Sequence, residues 1–109
     1  MNKTLLCIYG TLQHPRWNMK ILGQFTLAGN LYDLGPFPGV TALGGDNRFK
    51  ASVTEIDTVK LQVFDAYEGV DAGLYRRELI STPLGMAHIY IYNRELPGDA
   101  TLITEWDLT

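Results

Sequence analysis

The sequence predicts an α+β domain, a small mixed β-barrel with short helices packed outside it. Three observations carry that prediction. Short apolar or alternating runs recur along the chain, each closed by a cluster of turn residues. Only two stretches show helical spacing. The 109 residues are the size of one ordinary domain, enough to bury a core without disulfide or metal staples. No repeat, low-complexity segment or linker interrupts them, so residues 1–109 are read as a single domain.

Composition narrows the partners. An apolar fraction of 46% is a globular value, which sets aside a disordered chain. The formal charge is −3 and no basic run occurs, so no nucleic-acid partner is expected. A single cysteine allows no internal disulfide and suits a reducing, cytoplasmic compartment. The first apolar run is too short for a secretory signal, and no run approaches membrane-spanning length, so no membrane partner is expected.

The first element is the apolar run Leu5-Leu6-Cys7-Ile8-Tyr9, a buried strand that stops at Gly10. Glycine there permits a tight turn through backbone angles other residues avoid, and a close approach of another group. The N–H groups of Gly10, Thr11 and Leu12 would then be free to converge on a negative charge. The hydroxyls of Tyr9 and Thr11 add polar handles. The plainer reading of this stretch is a strand and a turn alone.

A short helix is predicted over His14–Gly23, with Pro15 in its first turn, Gly23 at its end, and Trp17 and Ile21 forming a buried stripe. Phe25–Leu34 alternates as a strand, with Phe25, Leu27, Gly29 and Leu31 on one face. Gly35-Pro36-Phe37-Pro38-Gly39 is a firm turn. Val40–Leu43 is a short strand and Gly44–Asn47 a loop. Phe49–Ile56 is a further strand, with Phe49, Ala51 and Val53 facing one way. Asp57 is placed to cap a helix over Thr58–Val70. Val59, Val63, Ala66, Tyr67 and Val70 would form its buried face, widened by Leu61 and Phe64, and Gly69 would end it. Leu74–Thr82 and Met86–Asn93 read as a hairpin about Pro83-Leu84-Gly85, with His88, Tyr90 and Tyr92 sharing a face. A last turn, Leu96–Asp99, leads to a tail holding Ile103, Trp106 and Leu108.

Glu68 is the strongest chemical candidate. It lies four residues after Phe64 and seven after Leu61, hence in line with both. A carboxylate beside apolar groups loses hydration and holds its proton more tightly. That moves it toward the range of a general acid/base at neutral pH. The competing reading is a solvated glutamate at a helix end. Cys7 reads as a small buried apolar residue, not a nucleophile paired with His14. Neither His14 nor His88 has metal-ligand spacing, so no metal is expected. Asp65 either pairs with Glu68 or is a surface carboxylate. Arg76 and Arg77 point to opposite faces of a strand; one binds a carboxylate bidentately or enters a partly buried ion pair.

Taken in order, Ile8-Tyr9-Gly10-Thr11-Leu12, Gly29-Asn30-Leu31-Tyr32, Gly35-Pro36-Phe37-Pro38, Phe64-Asp65-Ala66-Tyr67-Glu68-Gly69, Leu74-Tyr75-Arg76-Arg77 and His88-Ile89-Tyr90-Ile91-Tyr92 resemble the γ-glutamylcyclotransferase-like (AIG2-like) family over nearly the whole chain. The resemblance implies a small barrel with a cavity where the first loop meets a helix-borne glutamate. It implies cyclisation of a γ-glutamyl group: the substrate's α-amine attacks its own γ-carbonyl, expels an amine or amino acid and leaves 5-oxoproline. By motif position Glu68 would be the acid/base. Tyr9, Gly10, Thr11 and Leu12 would bind the glutamyl head, and Tyr75 would line the cavity. The partner implied is a small γ-glutamyl substrate, with no cofactor or metal; oligomeric state stays open. Two departures stand out. Gln13-His14-Pro15 replaces a basic, glycine-containing stretch, and Ala51-Ser52 stands where the family usually shows Gly-Glu. Both bear on the cavity rim, and they keep a non-catalytic binding module of the same fold as the alternative. A third option is an interaction protein using Trp17 and Trp106.

Overall fold

The apolar run after Asn2 forms β1 (Lys3–Ile8), the strand around which the sheet assembles. The computed structural model describes residues 2–106. β1 pairs antiparallel with β3 (Pro38–Asp57), from Lys3 opposite Asp57 to Ile8 opposite Ser52. On its other side it pairs parallel with β5 (Gly85–Tyr92) through Leu6–His88 and Cys7–Ile89. β2 (Ile21–Asp33), β4 (Tyr75–Thr82) and β6 (Thr101–Ile103) complete one mixed sheet in the order β4-β5-β1-β3-β2-β6. β3 bends far enough for its Val40 to reach Ile91 of β5.

That bend gives the sheet two buried faces. Cys7 and Tyr9 pack inside the curl with Leu31, Val40, Phe49 and Ile89. Leu6 and Ile8 pack on the outer side against the helix α1 (Thr58–Tyr67) through Leu61 and Phe64. A strand covered on both faces is apolar throughout, which is why β1 does not alternate. The expected barrel is not closed: β4 and β6 are the two edges, and among the described residues no pairing joins them. Period-2 alternation reports that a strand has a buried face; it does not report whether the first and last strands meet.

Three local expectations are corrected. His14–Gly23 is not a helix. Two single 3₁₀ turns, Thr11–Gln13 and Pro15–Trp17, take its place, and β2 already starts at Ile21. Pro15 does open a turn, capped by the Arg16 N–H donating to His14 Nδ1 at 3.1 Å, but Asn18 at φ 51° reverses the chain. Asparagine tolerates that left-handed geometry better than most residues. Trp17 is half-buried and Ile21 is exposed, so they form no stripe. Second, Gly44–Asn47 does not divide two strands. It bulges from a continuous β3 between the pairs Leu43–Gly29 and Arg48–Ala28. Third, the buried side of α1 is Leu61 and Phe64. Val59 is 72% exposed and Val63 also faces out, while Tyr67 is partly exposed and packs against Trp17 instead of the sheet. Leu61 and Phe64 are one turn apart and the largest apolar groups available, so the helix turns them inward. Asp57 sits at the N-cap position without a cap bond; its Oδ1 lies 3.4 Å from Lys3 Nζ, an ion-pair distance. The helix closes as expected at Gly69, whose φ is +69°. The Gly69 N–H donates to Ala66 O and the Val70 N–H to Asp65 O, the paired bonds of a Schellman end. Leu108 lies outside the described residues. No helix among them is long and apolar enough to cross a membrane.

Tyr9 locks the strands where β1 ends. Its hydroxyl donates to Tyr90 O at 2.6 Å and accepts the Val40 N–H at 3.1 Å. Tyr9→Phe strips a buried carbonyl and a buried N–H of their partner. It should cost roughly 2–4 kcal/mol in urea unfolding, against about 0.5 kcal/mol or less for Val63→Ser on the exposed side of α1. A Tyr9→Phe protein as stable as Val63→Ser would mean the hydroxyl is dispensable.

Candidate active site

Where β1 runs out, the sheet leaves a cavity of about 350 Å³. Its floor is the loop Gly10-Thr11-Leu12. One wall is the turn Pro36-Phe37-Pro38; the other is the end of α1, Tyr67 and Glu68, with Leu74, Tyr75 and Tyr90. The structure thus gathers the sequence-predicted residues Tyr9, Gly10, Thr11, Leu12, Glu68 and Tyr75 around one space.

The loop's geometry follows from its 3₁₀ turn. Gln13 N–H donates back to Gly10 O at 3.0 Å and His14 N–H to Thr11 O at 3.1 Å. The N–H groups of Gly10, Thr11 and Leu12 come before the first such bond and find no acceptor among the described residues. Of the two reasons expected for glycine at position 10, the close approach of another group is the one that applies. The φ of Gly10 is −137°, so no left-handed geometry is involved. A Cβ there would lie 2.6 Å from Pro38 Cγ, so glycine lets the loop pack directly on β3.

The tyrosines are walls, not handles. Tyr9 is committed to Tyr90 O and Val40 N–H, which corrects its reading as a free polar group. Tyr75 OH donates to Pro38 O at 2.6 Å, and Tyr90 OH to Asp65 Oδ1 at 2.7 Å. Burial raises all three phenols well above the usual range, so they stay protonated. The one adjustable hydroxyl pair is at the rim. Tyr67 OH donates to Thr11 Oγ1 at 3.3 Å and accepts from Arg16 Nη2 at 3.2 Å.

Glu68 caps α1 one residue past Tyr67, φ −82° and ψ −1°, held by its own N–H donating to Phe64 O at 2.8 Å. It is half-buried, and burial pushes its carboxyl up to about 7. This is the poise expected of a carboxylate in line with Leu61 and Phe64. Cys7 also lines the cavity, but burial pushes its thiol up to about 12, leaving too little thiolate for a nucleophile at neutral pH. His14 is exposed and engaged with Arg16. His88 lies against Arg77, and burial followed by that guanidinium lowers its proton affinity. Among the described residues no three His, Cys, Asp or Glu side chains gather as a metal site. Asp65 is neither a surface group nor a partner of Glu68: Arg77 grips it at 2.9 and 3.1 Å. Arg76 is on the exposed side, with Glu78 and Asn93. Trp17 packs edge-on against Phe64 and Tyr67, behind the cavity wall.

Sequence reasoning missed Pro36-Phe37-Pro38, Tyr67 and Tyr90 as lining. The first was legible only as a rigid turn. Tyr90 was visible as one of three aromatic or imidazole residues on a common face. The two departures prove to be neighbours: Ser52 Oγ donates to Gln13 Oε1 at 3.0 Å, and neither lines the cavity.

A profile of the family described as gamma-glutamyl cyclotransferase, AIG2-like, matches residues 6–108. The chain belongs to that family. Within the γ-glutamyl cyclotransferase family it is similar to the Escherichia coli protein named gamma-glutamylcyclotransferase family protein YtfP. The two are 37% identical over 98 residues, 84% of each chain. The solution structure of E. coli ytfP superposes with a TM-score of 0.75 over 94% of this chain and 93% of that one. An AIG2-like protein from Mus musculus shares the fold at 16% identity, with a TM-score of 0.81 over 98% of this chain and 90% of that one.

Glu68 also makes stability depend on pH. Its carboxyl holds a proton up to about 7 in the fold, against an ordinary value of 4.5. Between these values the native Glu68 binds more proton than the unfolded one, so the stability it contributes is fully present below 4.5 and is lost as pH rises through 7. Glu68→Gln should flatten that decline and be the more stable protein at pH 8, by on the order of 1–3 kcal/mol. The check is urea unfolding of both proteins from pH 4 to 8. Parallel profiles would mean that Glu68 is hydrated in the fold.

Proposed function

We propose that this chain is a γ-glutamyl cyclotransferase that converts a small γ-glutamyl substrate to 5-oxoproline and a free amine or amino acid. The observation that carries the reading is the placement of Glu68, half-buried and poised near neutrality, in one cavity with the three unpaired N–H groups of Gly10, Thr11 and Leu12. The substrate's α-nitrogen must lose a proton to attack, and the leaving nitrogen must gain one. A single carboxylate with its proton affinity raised to the working pH can do both in turn. In the ring-closing step a bond forms between the α-nitrogen and the γ-carbon, and Glu68 takes the proton released. As the tetrahedral centre collapses, the bond from the γ-carbon to the leaving nitrogen breaks and Glu68 returns the proton to that nitrogen.

Negative charge develops on the γ-oxygen between these events. The main-chain N–H groups of the loop are the donors for it, since they are fixed before substrate arrives and need no reorganisation. Tyr9 and Tyr75 contribute shape: their rings, locked by hydrogen bonds to main chain, hold the glutamyl group folded toward ring closure. Intramolecular attack gains mostly from such positioning, so a cavity of about 350 Å³ suffices.

Glu68→Gln keeps the shape of the side chain but cannot carry a proton. Single-turnover release of 5-oxoproline should fall by roughly 10²–10⁴, with product affinity retained. Cyclisation within a few-fold of the parent would remove Glu68 from the role. A parent protein that binds 5-oxoproline but turns over no γ-glutamyl amine or dipeptide would be a binding module. Gly10→Val should drive the loop off Pro38 and abolish binding, seen as loss of 5-oxoproline affinity in calorimetry; unchanged affinity would count against the loop as the anion site.

A further inference from the structure

Asp65 and Arg77 both belong to motifs that carry cavity residues, Asp65-x-x-Glu68-Gly69 and Tyr75-x-Arg77, yet neither lines the cavity. They meet behind its wall. Arg77 Nε and Nη2 donate to Asp65 Oδ1 and Oδ2 at 2.9 and 3.1 Å. Tyr90 OH donates to the same Oδ1 at 2.7 Å. Arg77 and Tyr90 are cross-strand partners on β4 and β5, so their polar groups reach Asp65 side by side. The main chain of Asp65 serves the helix end. Its carbonyl accepts the Val70 N–H at 3.0 Å, one of the bonds that close the turn containing Glu68.

We propose that Asp65, gripped by Arg77 and Tyr90, is the positioning residue for Glu68: it ties the last turn of α1 to the two strands that wall the cavity. The helix needs such a tie. It has ten residues with only Leu61 and Phe64 fully inside; Val63 faces solvent, and Tyr67 is partly exposed where it lines the cavity. Short helices fray at their ends unless tertiary contacts hold them. A frayed last turn would admit water to Glu68 and swing it from the loop. The ion pair is only partly buried and bidentate, an arrangement that fixes orientation more than it adds stability.

The surroundings of Glu68 point the same way, because burial is what raises its proton affinity. Tyr9 just past β1, Tyr75 from β4 and Tyr90 from β5 face it as neutral phenols. On α1, Tyr67 flanks it with Arg16 on its hydroxyl, and Asp65 precedes it by one turn with Arg77 and His88 behind. Burial is what holds the proton on Glu68, so hydration of a last turn no longer tied by Asp65 weakens proton binding there.

The test uses the whole chain with its glutamate side-chain carboxyls labelled with carbon-13, and needs no ligand. In Asp65→Asn, Glu68 should titrate lower than in the parent by about one pH unit, and Tyr90→Phe should move it the same way by less. With γ-glutamyl amines and dipeptides as substrates, Asp65→Asn should lose roughly 10–100-fold in kcat while KM stays within a few-fold. A folded Asp65→Asn protein with the parent's Glu68 titration and kcat, altered only in melting temperature, overturns the proposal. Should Asp65→Asn not fold, Tyr90→Phe, which keeps the ion pair, decides: an unchanged Glu68 titration overturns the proposal, and a lowered one upholds it. The inference builds on the cyclotransferase reading, but the two fail separately. A parent that releases no 5-oxoproline sinks that reading, while the Glu68 titration still decides the positioning role.

Discussion

Everything at the cavity depends on one buried hydroxyl. Tyr9 directly follows the central strand, and its phenol joins the main chains of β5 and β3 at the point where β1 stops being paired. Two strands that diverge over a cavity leave main-chain groups facing no partner, and each such group is costly to bury. The Tyr9 hydroxyl satisfies one from each side. Tyr75 repeats the device one strand further out by donating to Pro38 O. The cavity is therefore a gap in sheet pairing propped open by tyrosines.

That construction explains the division of chemistry around the space. Aromatic props supply apolar walls and spend their polar atoms on the scaffold. The groups left with unmet capacity are the loop N–H donors and the Glu68 carboxylate. The same walls that keep water out also raise the proton affinity of Glu68, so scaffold and acid/base poise have a common physical origin. The contact between Gln13 and Ser52 adds a neutral tie from the loop's end to β3, placed outside the cavity where it leaves this division untouched.

Much of this was legible in the residues. The apolar run ending at Gly10, the alternation around Phe49, the hairpin from Tyr75 to Tyr92 and the helix end at Gly69 all stand where their patterns placed them. Glu68 was legible because position along a helix is arithmetic: four residues from Phe64 and seven from Leu61 is one stripe, whichever way the helix turns. The failures share a cause. Val59, Val63 and Tyr67 carry the same period as Leu61 and Phe64, and spacing alone does not say which of two apolar sides meets the sheet. Over Pro15–Gly23, turn and helix signals coincide, and Asn18 taking a left-handed angle decided for the turn.

The sequence by itself determined which segments could be buried and which residue types could carry a proton or a charge, because those are properties of local periodicity and of side-chain chemistry. Tertiary structure alone decided which of them act together. The hydroxyl of Tyr9 became a strut because Val40 and Tyr90, 31 and 81 residues away, arrive at hydrogen-bond distance. Asp65 became a partner of Arg77 because β4 returns alongside α1. The sheet curls because β3 bends to meet β5, and it stayed open because β4 pairs with β5 and the short β6 with β2, with no pairing between the two among the described residues. Such outcomes depend on distances between residues remote in the chain, and no local pattern of residues contains them.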